Sequence, residues 1–182
     1  GEDARFSLEL ASKRIAVDRL ILNELRARVS ASEDELTLEA RIAGEGGHAD
    51  VSASTAMRWK DHLLPALDRQ QLRGAFTARD FPLASLSPLV EGSVSELAGK
   101  LDANLRAELE SGQPRLSGQA SLRDGVLQLP SVGQRFSDIG AKLTIAPDRV
   151  RIEQVTARGL SGGLEAEAEA ELIGLKPVAA RA

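Results

Sequence analysis

The sequence contains no cysteine, no tyrosine and two histidines, and aromatic residues make up 3% of its 182 residues. The lack of cysteine excludes disulfides, thiolate nucleophiles, iron–sulfur clusters and cysteine-based zinc sites. His48 lies in a glycine-rich turn and His62 beside a proline-containing segment, with no residue pattern that pairs them for catalysis or metal binding. We therefore expect neither an enzyme nor a cofactor-dependent protein.

Long apolar runs and clustered charges are also missing. The longest uninterrupted apolar run is three residues, as in 20–22, which excludes a transmembrane helix within this sequence. The 23 lysines and arginines are scattered and the net charge is −4, which argues against nucleic acid as a partner. Because aromatic residues are rare although 42% of the chain is hydrophobic, we expect a thin aliphatic layer instead of a packed ball.

Apolar residues recur at every second position along most of the chain, which is the period of a strand with one buried face. In the run that begins at Phe136 the phase slips near Asp138 and resumes at Ile139. Turn signals separate the runs, and Asp124-Gly125 is typical of a two-residue hairpin turn. The clearest runs are 6–10, 25–31, 36–42, 51–59, 101–109, 116–122, 136–145 and 164–172.

Two stretches break the alternation, and a third allows two interpretations. Residues 61–67 have helical spacing interrupted by Pro65, and residues 82–90 place three leucines on one side of a short helix. In residues 95–110 the leucines are four apart, which would suit a helix. Gly99 and the alternating polar residues favour a strand there.

The expected fold is all-β: an elongated antiparallel meander folded into a U-shaped, taco-like sheet with a hydrophobic groove, plus one or two short helices. We expect one continuous unit. It has N-terminal strand repeats of the groove over 1–60, a short helical or loop insertion over 61–96, C-terminal strand repeats over 97–175 and a tail over 176–182. The alternative is a closed sandwich in which two apolar faces bury each other.

If the apolar face is an open groove, its alanine-rich positions leave room for acyl chains. A lipid-lined groove needs no catalytic, metal or cofactor residue, and none is expected. The residues predicted to line the groove and to face lipid are Leu101, Leu105, Leu109, Leu116, Leu122, Leu143, Ile145, Leu164 and Leu172.

Residues 116–139 resemble a known pattern: a Leu-x-Gly-x-x-x-Leu strand, Asp-Gly, an apolar strand ending in proline, then a glycine and a strand ending near aspartate. This arrangement is similar to the C-terminal region of the TamB family, the inner-membrane component of the bacterial translocation and assembly module, within the wider AsmA-like superfamily. Residues 81–89 and 97–103 resemble the segment that precedes it there. The resemblance spans roughly 70–175, and the first seventy residues fit only by their strand pattern.

The resemblance implies a periplasmic protein, anchored in the bacterial inner membrane through a part absent from this sequence. It also implies a hydrophobic β-groove that carries phospholipid between the inner and outer membranes and supports outer-membrane protein and autotransporter assembly. The implied partners are phospholipid acyl chains, an outer-membrane barrel protein and nascent outer-membrane proteins. The chain begins at Gly1 instead of Met, which we interpret as an excised segment.

Two other functions are compatible with the same pattern. One is a chaperone-like scaffold that receives nascent outer-membrane β-strands in its groove or at a free edge. The other is a purely structural β-spacer.

Overall fold

The computed structural model describes residues 6–17, 20–32, 34–60, 64–89, 94–110, 112–159, 162–173 and 176–181. These residues form strands and two short 3₁₀ helices, of which the longer, Leu83–Leu89, is named the cover helix below. The shorter is Pro130–Val132. The strands are β1 (Phe6–Val17), β2 (Leu20–Ala31), β3 (Glu35–Ala43), β4 (His48–Lys60), β5 (Leu64–Pro82), β6 (Glu96–Glu110), β7 (Gln113–Leu129), β8 (Gln134–Ala146), β9 (Arg149–Gly159), β10 (Gly162–Ile173) and β11 (Lys176–Arg181).

All eleven strands belong to one sheet, and their order in space is their order in the chain, from β1 to β11. Each strand pairs antiparallel with the next. Strands β1 and β11 are therefore the two edges of an open, curved sheet. The prediction of an all-β antiparallel meander is confirmed, and the described residues do not form the two separate sheets of a sandwich.

The two faces of the sheet differ in chemistry because successive side chains of a strand point to opposite sides. On one side of β2 and β3, Val29 pairs with Leu38 and Leu25 with Ile42, while on the other side Arg28 pairs with Glu39. The same division continues through the later strands. We name the two sides the apolar face and the polar face.

Bulges keep the apolar residues in phase where the sequence period slips. Three of them contain an aspartate with positive φ: Asp80 at 47°, Asp124 at 52° and Asp138 at 49°. Aspartate tolerates this left-handed conformation better than most residues. The bulge inserts one extra residue, so that two apolar residues three positions apart, such as Ala78 and Phe81, pair with successive apolar residues of the next strand.

The hairpin predicted at Asp124-Gly125 is therefore wrong, because these two residues lie inside β7. A left-handed aspartate followed by glycine suits a bulge as well as a two-residue turn, and the local sequence does not distinguish the two. The phase slip predicted near Asp138 is confirmed as the bulge in β8.

The predicted insertion over 61–96 is also wrong for most of its length. Residues 64–82 form β5, which pairs with β4 through Lys60–Leu64 and Trp59–Pro65 and continues to Arg79 opposite His48. Pairing along a full neighbouring strand overrides the weak helical spacing seen locally. Residues 61–63, including His62, lie outside the described residues.

The cover helix and strand β6 form where the sequence predicts them, whereas the C-terminal residues do not form the predicted tail. The short helix predicted over 82–90 is present as the cover helix, with 3₁₀ geometry. Residues 96–110 form strand β6, as the polar alternation indicated. The predicted tail over 176–182 is instead strand β11 over Lys176–Arg181, because it finds hydrogen-bonding partners along β10.

The sheet is essentially a single layer. The accessible surface of the chain is 12902 Å², whereas a compact monomer of this mass has about 8,500 Å² by the usual scaling with mass. Among the residues whose burial is described, few apolar side chains are fully buried, and Met57 and Phe81 are the largest of these. Much of the apolar face is therefore in contact with solvent in the free protein.

Close approach between β6 and β7 depends on Gly118, which has a φ of +134°. A Cβ atom there would lie 2.0 Å from the backbone oxygen of Asn104. We expect Gly118→Ala to lower the free energy of unfolding by about 3 kcal/mol or more, since relief requires the two strands to separate. Urea denaturation measures the loss.

The matched control is Gly112→Ala, at a glycine that also has positive φ (+78°) but open space around the added Cβ. Only backbone strain applies at that position, so we expect a loss of about 1 kcal/mol. Equal losses for the two variants would contradict the close packing of β6 on β7.

Candidate functional site

One row of directly paired positions crosses the apolar face from β1 to β11, perpendicular to the strands. We name it the main ladder. Every member is an aliphatic residue, phenylalanine or glycine. At about 4.8 Å per strand, the ten steps between its ends span about 48 Å. The members are Leu10, Ala27, Ala40, Val51, Phe76, Leu105, Gly118, Ile145, Val150, Ala170 and Ala180.

Small residues flank the bulkiest part of the main ladder on both sides. Because methyl side chains project little above the sheet, each of the flanking rows is lower than the larger side chains of Val51, Phe76 and Leu105. On one side the paired positions are Ala49, Ala78, Ala103 and Ala120. On the other side they are Ala53, Gly74 and Ala107.

The cover helix packs over the first of these rows. Its Leu86 packs against a buried cluster formed by Ala49, Ala78, Phe81 and Ala103. Of these, Ala49 and Phe81 are each 2% exposed, and the helix contacts both β6 and β2. The end of the apolar face near β2–β6 is therefore covered by the protein itself.

Other parts of the apolar face are uncovered. Leu38 is 39% exposed, Leu72 47% and Leu164 56%, so large aliphatic side chains on β3, β5 and β10 meet solvent. Exposed apolar area costs about 25 cal/mol per Å² relative to burial. Large apolar side chains exposed along one face are typical of a surface that binds another apolar group.

The nine residues predicted to line the groove all belong to the apolar face. Leu105 and Ile145 are members of the main ladder, separated by Gly118. The structure spreads the nine residues over four strands instead of gathering them at one point. Ile145 is buried at 9% exposure, Leu164 is exposed, and the others are half-buried. The pairings of the remaining residues are Leu101–Leu122, Leu109–Pro114, Leu116–Ala107, Leu143–Ala120, Leu164–Ala157 and Leu172–Pro177.

The prediction missed the half of the lining contributed by β1–β5. Leu10, Ala40, Val51 and Phe76 continue the main ladder toward the β1 edge. Their alternating pattern is visible in the sequence, but the row that joins them is defined only by the register between strands.

Shallow depressions on the polar face include ones of about 380 Å³ and 540 Å³. The first lies among arginines and carboxylates that pair with each other. Arg28 lies 3.2 Å from Glu9 and Arg41 lies 3.5 Å from Asp50. Exposed, mutually paired charges of this kind are typical of a solvated sheet surface.

Arg123 ties the bulge of β5 to β6 on the polar face. Its Nη2 lies 2.7 Å from Asp80 Oδ1 and 2.8 Å from Asp102 Oδ2. The backbone N–H of Asp80 donates a hydrogen bond to Asp102 Oδ1 at 3.0 Å. This hydrogen bond and the Arg123 guanidinium lower the pKa of Asp102 below its ordinary value of 3.8.

A second ion pair joins β6 to β8 across the end of β7. The guanidinium of Arg135 forms two hydrogen bonds to the carboxylate of Glu96, at 2.8 and 3.1 Å. These bonds lower the pKa of Glu96. Both ion-paired groups lie on the polar side of the sheet.

The described residues contain no cluster of side chains suited to catalysis or metal binding. Within the described residues no group of three or more histidine, aspartate or glutamate side chains could hold a metal ion. His48 Nε2 lies 3.6 Å from Asp50 Oδ2 on the polar face. Residues 159–163 match Gly-x-Ser-x-Gly in letters, but they join two antiparallel strands, whereas a nucleophile elbow joins a strand to a helix.

No helix among the described residues is long and apolar enough to cross a membrane. Comparisons of this chain with protein-family models, curated proteins and solved structures found no match.

The low pKa of Asp102 predicts how its contribution to stability depends on pH. The ionised carboxylate stabilises the fold above pH 3.8, and this stabilisation is lost as the pH falls through the lowered pKa. We expect Asp102→Asn to reduce the urea midpoint at pH 6 and to reduce it less at pH 3. The control Glu167→Gln changes an exposed carboxylate on β10 and should leave the midpoint unchanged at pH 6. A loss from Asp102→Asn that is the same at both pH values would contradict the assignment.

Proposed function

We propose that the apolar face binds phospholipid acyl chains and carries them across the sheet. The main ladder is the observation that supports this proposal most directly. It offers an apolar path about 48 Å long with no polar or charged member. A path of this kind is what a hydrocarbon chain needs in order to move through an aqueous compartment.

The energetic reason is the cost of exposing hydrocarbon to water, about 0.8 kcal/mol per CH₂ group. A polar residue in the main ladder would interrupt the contact that keeps the hydrocarbon out of water. Uniform aliphatic contact instead lets a chain slide between positions of similar energy. Such transfer is passive and uses no catalytic residue or cofactor. The row of small residues on the uncovered side of the main ladder, Ala53, Gly74 and Ala107, leaves room in which a chain can lie.

The exposure of the apolar face favours a surface that binds lipid over a structural core. Leu38, Leu72 and Leu164 are 39%, 47% and 56% exposed, so a hydrocarbon chain can reach them without unfolding the sheet. A purely structural spacer has no need for an uncovered apolar face of this extent, since such a face promotes aggregation.

The wider biological setting that we propose rests on the sequence resemblance of residues 70–175 to the TamB family. In this setting the chain is a segment of a periplasmic protein anchored in the bacterial inner membrane. It carries phospholipid between the two membranes and supports the assembly of outer-membrane proteins, with an outer-membrane barrel protein as its partner. The single-layer meander with one apolar face is compatible with that role.

Photo-crosslinking from the two faces of β8 tests the proposal. Leu143 pairs with Ala120 and Ile152 on the apolar face, whereas its neighbour Lys142 is exposed on the polar face. Benzoylphenylalanine at position 143 should capture phospholipid when the chain is incubated with phosphatidylethanolamine–phosphatidylglycerol liposomes. The same probe at position 142 should capture much less.

The other outcomes separate the competing functions. Equal lipid capture at positions 142 and 143 would contradict a lipid path on one face. Crosslinks from position 143 only to neighbouring strands would favour the β-spacer. Capture of an unfolded outer-membrane protein offered together with the liposomes, without lipid, would favour the chaperone-like scaffold.

A pair of charge substitutions tests whether the path must be continuous. Leu105 belongs to the main ladder, and the next residue, Arg106, is exposed on the polar face. We expect Leu105→Asp to reduce lipid transfer between donor and acceptor liposomes at least tenfold, because it places a carboxylate in the path. Arg106→Asp should change transfer less than twofold. Circular dichroism measures whether each variant retains its strand signal. Equal transfer by folded forms of the two variants would contradict the proposal.

A further inference from the structure

The row of small residues beneath the cover helix continues into positions beyond the helix. We name this row the alanine row, and it crosses β4–β7 in direct pairs. Its last member, Ala120, pairs with Leu143 of β8, and Leu143 pairs with Ile152 of β9. One apolar row therefore has a part under the helix and a half-buried part beyond it. The members of the alanine row are Ala49, Ala78, Ala103 and Ala120.

The cover helix accounts for the burial of the alanine row. On β6, Ala103 is 9% exposed, whereas Ala107, four residues along on the same face, is exposed. On β4, Ala49 is 2% exposed and Ala53 is half-buried. Leu86 of the helix packs against the cluster that contains Ala49 and Ala103. An aliphatic side chain thus fills the space above the alanines, and hydrocarbon is the chemistry that this space accepts.

The length of the alanine row matches one acyl chain. Three strand steps separate Ala49 from Ala120, which at about 4.8 Å per step gives about 14 Å. An acyl chain in a bilayer spans about half of the hydrocarbon core, or about 15 Å. One chain laid along the row can therefore cover all four alanines.

The helix is held on the sheet by apolar contact. Its residues, Leu83–Leu89, carry no charge. Within the described part of the chain, none of their side chains forms a hydrogen bond or ion pair with the sheet, and Ser87 Oγ donates to the carbonyl oxygen of Ala84 inside the helix at 2.7 Å. Apolar contact is not directional. Hydrocarbon from a lipid can therefore replace the helix without leaving a polar side chain unpaired.

Strand β5 can stay in place when the helix moves. Phe81, two residues before the helix, is 2% exposed and pairs with Leu101 of β6. Pro82 is the last residue of β5 and pairs with Lys100. The pairing that holds β5 on β6 therefore ends where the helix begins.

We propose that the alanine row beneath the cover helix is a second acyl-chain position, which opens when the helix lifts from the sheet. The proposal rests on the proposed binding of lipid to the apolar face. With the helix down, a chain bound at Leu143 extends no farther than Ala120. With the helix lifted, the chain also covers Ala103, Ala78 and Ala49. Helix and chain compete for the same surface, so lipid shifts the equilibrium toward the lifted helix.

Gly44, directly after β3, provides a way to move the helix without changing the alanine row. Its N–H donates to the carbonyl oxygen of Gly47 at 2.9 Å, and its own carbonyl oxygen accepts from Asn23 Nδ2 at 3.1 Å. A Cβ atom at Gly44 would lie 2.6 Å from Pro82 Cγ and 3.1 Å from Ser85 Oγ. Because the Gly44 backbone is held on both sides, an added methyl group pushes the start of the helix away from the sheet.

Thiol labelling without lipid tests whether the helix lifts. The probe is the thiol of Ala103→Cys, reacted with a water-soluble maleimide. Adding Gly44→Ala should speed labelling at least tenfold, at a rate that changes little in low urea, since local opening exposes little surface. The control Gly159→Ala places a Cβ in ordinary contact with Phe136 at 3.6 Å, and it should change the rate less than twofold. Labelling that follows global unfolding, or equal effects of the two variants, would overturn the proposal.

A reversible disulfide tests whether lipid uses the row. The chain has no cysteine of its own. In Gly44→Cys combined with Ser85→Cys, the 3.1 Å between the Gly44 Cβ position and Ser85 Oγ suits a disulfide that holds the helix down. The lipid probe is phosphatidylethanolamine with a photoreactive diazirine in one acyl chain, supplied in liposomes. Mass spectrometry should find label at Ala103 and Leu143 in the reduced protein. Oxidation should reduce the label at Ala103 at least tenfold and leave the label at Leu143.

The reduced form of the same protein is the matched control, and circular dichroism compares the folding of the two forms. The single variant Gly44→Ala, which needs no disulfide, should raise the label at Ala103 above that of the unmodified chain. Equal label at Ala103 in the oxidised and reduced forms would overturn the proposal. Label at Leu143 without label at Ala103 in the reduced form would overturn it and leave the proposed function standing. Absence of label at both positions in every form would overturn both.

Discussion

Antiparallel pairing in register is the constraint on which the rest of this structure depends. A strand side chain points to one face or the other with a period of two, so a shift of one residue at any of the ten strand junctions would move an aliphatic residue into the polar face. The apolar face is continuous only because every junction keeps its parity, from Leu10–Ala27 at one edge to Ala170–Ala180 at the other. The candidate binding surface is thus a property of the pairing as a whole and not of any local motif.

The bulges show how that parity survives an irregular sequence. Asp80, Asp124 and Asp138 each adopt positive φ, and each adds one residue where the apolar period would otherwise reverse. On the polar side Arg123 bonds to Asp80 and Asp102, so the first bulge is also connected to its neighbouring strand. The polar face therefore supports the apolar face, because the ion pairs of Arg123 stabilise the β5 bulge that keeps the apolar residues in phase.

A single layer with an uncovered apolar side has consequences for both stability and association. Few side chains reach full burial, and the cover helix shields only the cluster around Phe81. The stabilisation is therefore spread along the sheet, over the ladder of backbone hydrogen bonds and the partial burial of aliphatic neighbours in each row. Among the described residues, the exposed large apolar side chains lie on the apolar face, where binding of an apolar partner would remove them from water.

The sequence by itself determined the all-β class, the amphipathic strands and the side of the sheet on which each of the nine predicted lining residues lies. Each of these properties follows from the two-residue period within one strand, which is local information. Only the tertiary structure decided that Asp124-Gly125 is a bulge, that residues 64–82 are a strand, and that Leu105, Gly118 and Ile145 are neighbours in one row. These outcomes depend on hydrogen bonds to other strands, and a left-handed aspartate or a row of leucines is compatible with several local structures until its partner strand is in place.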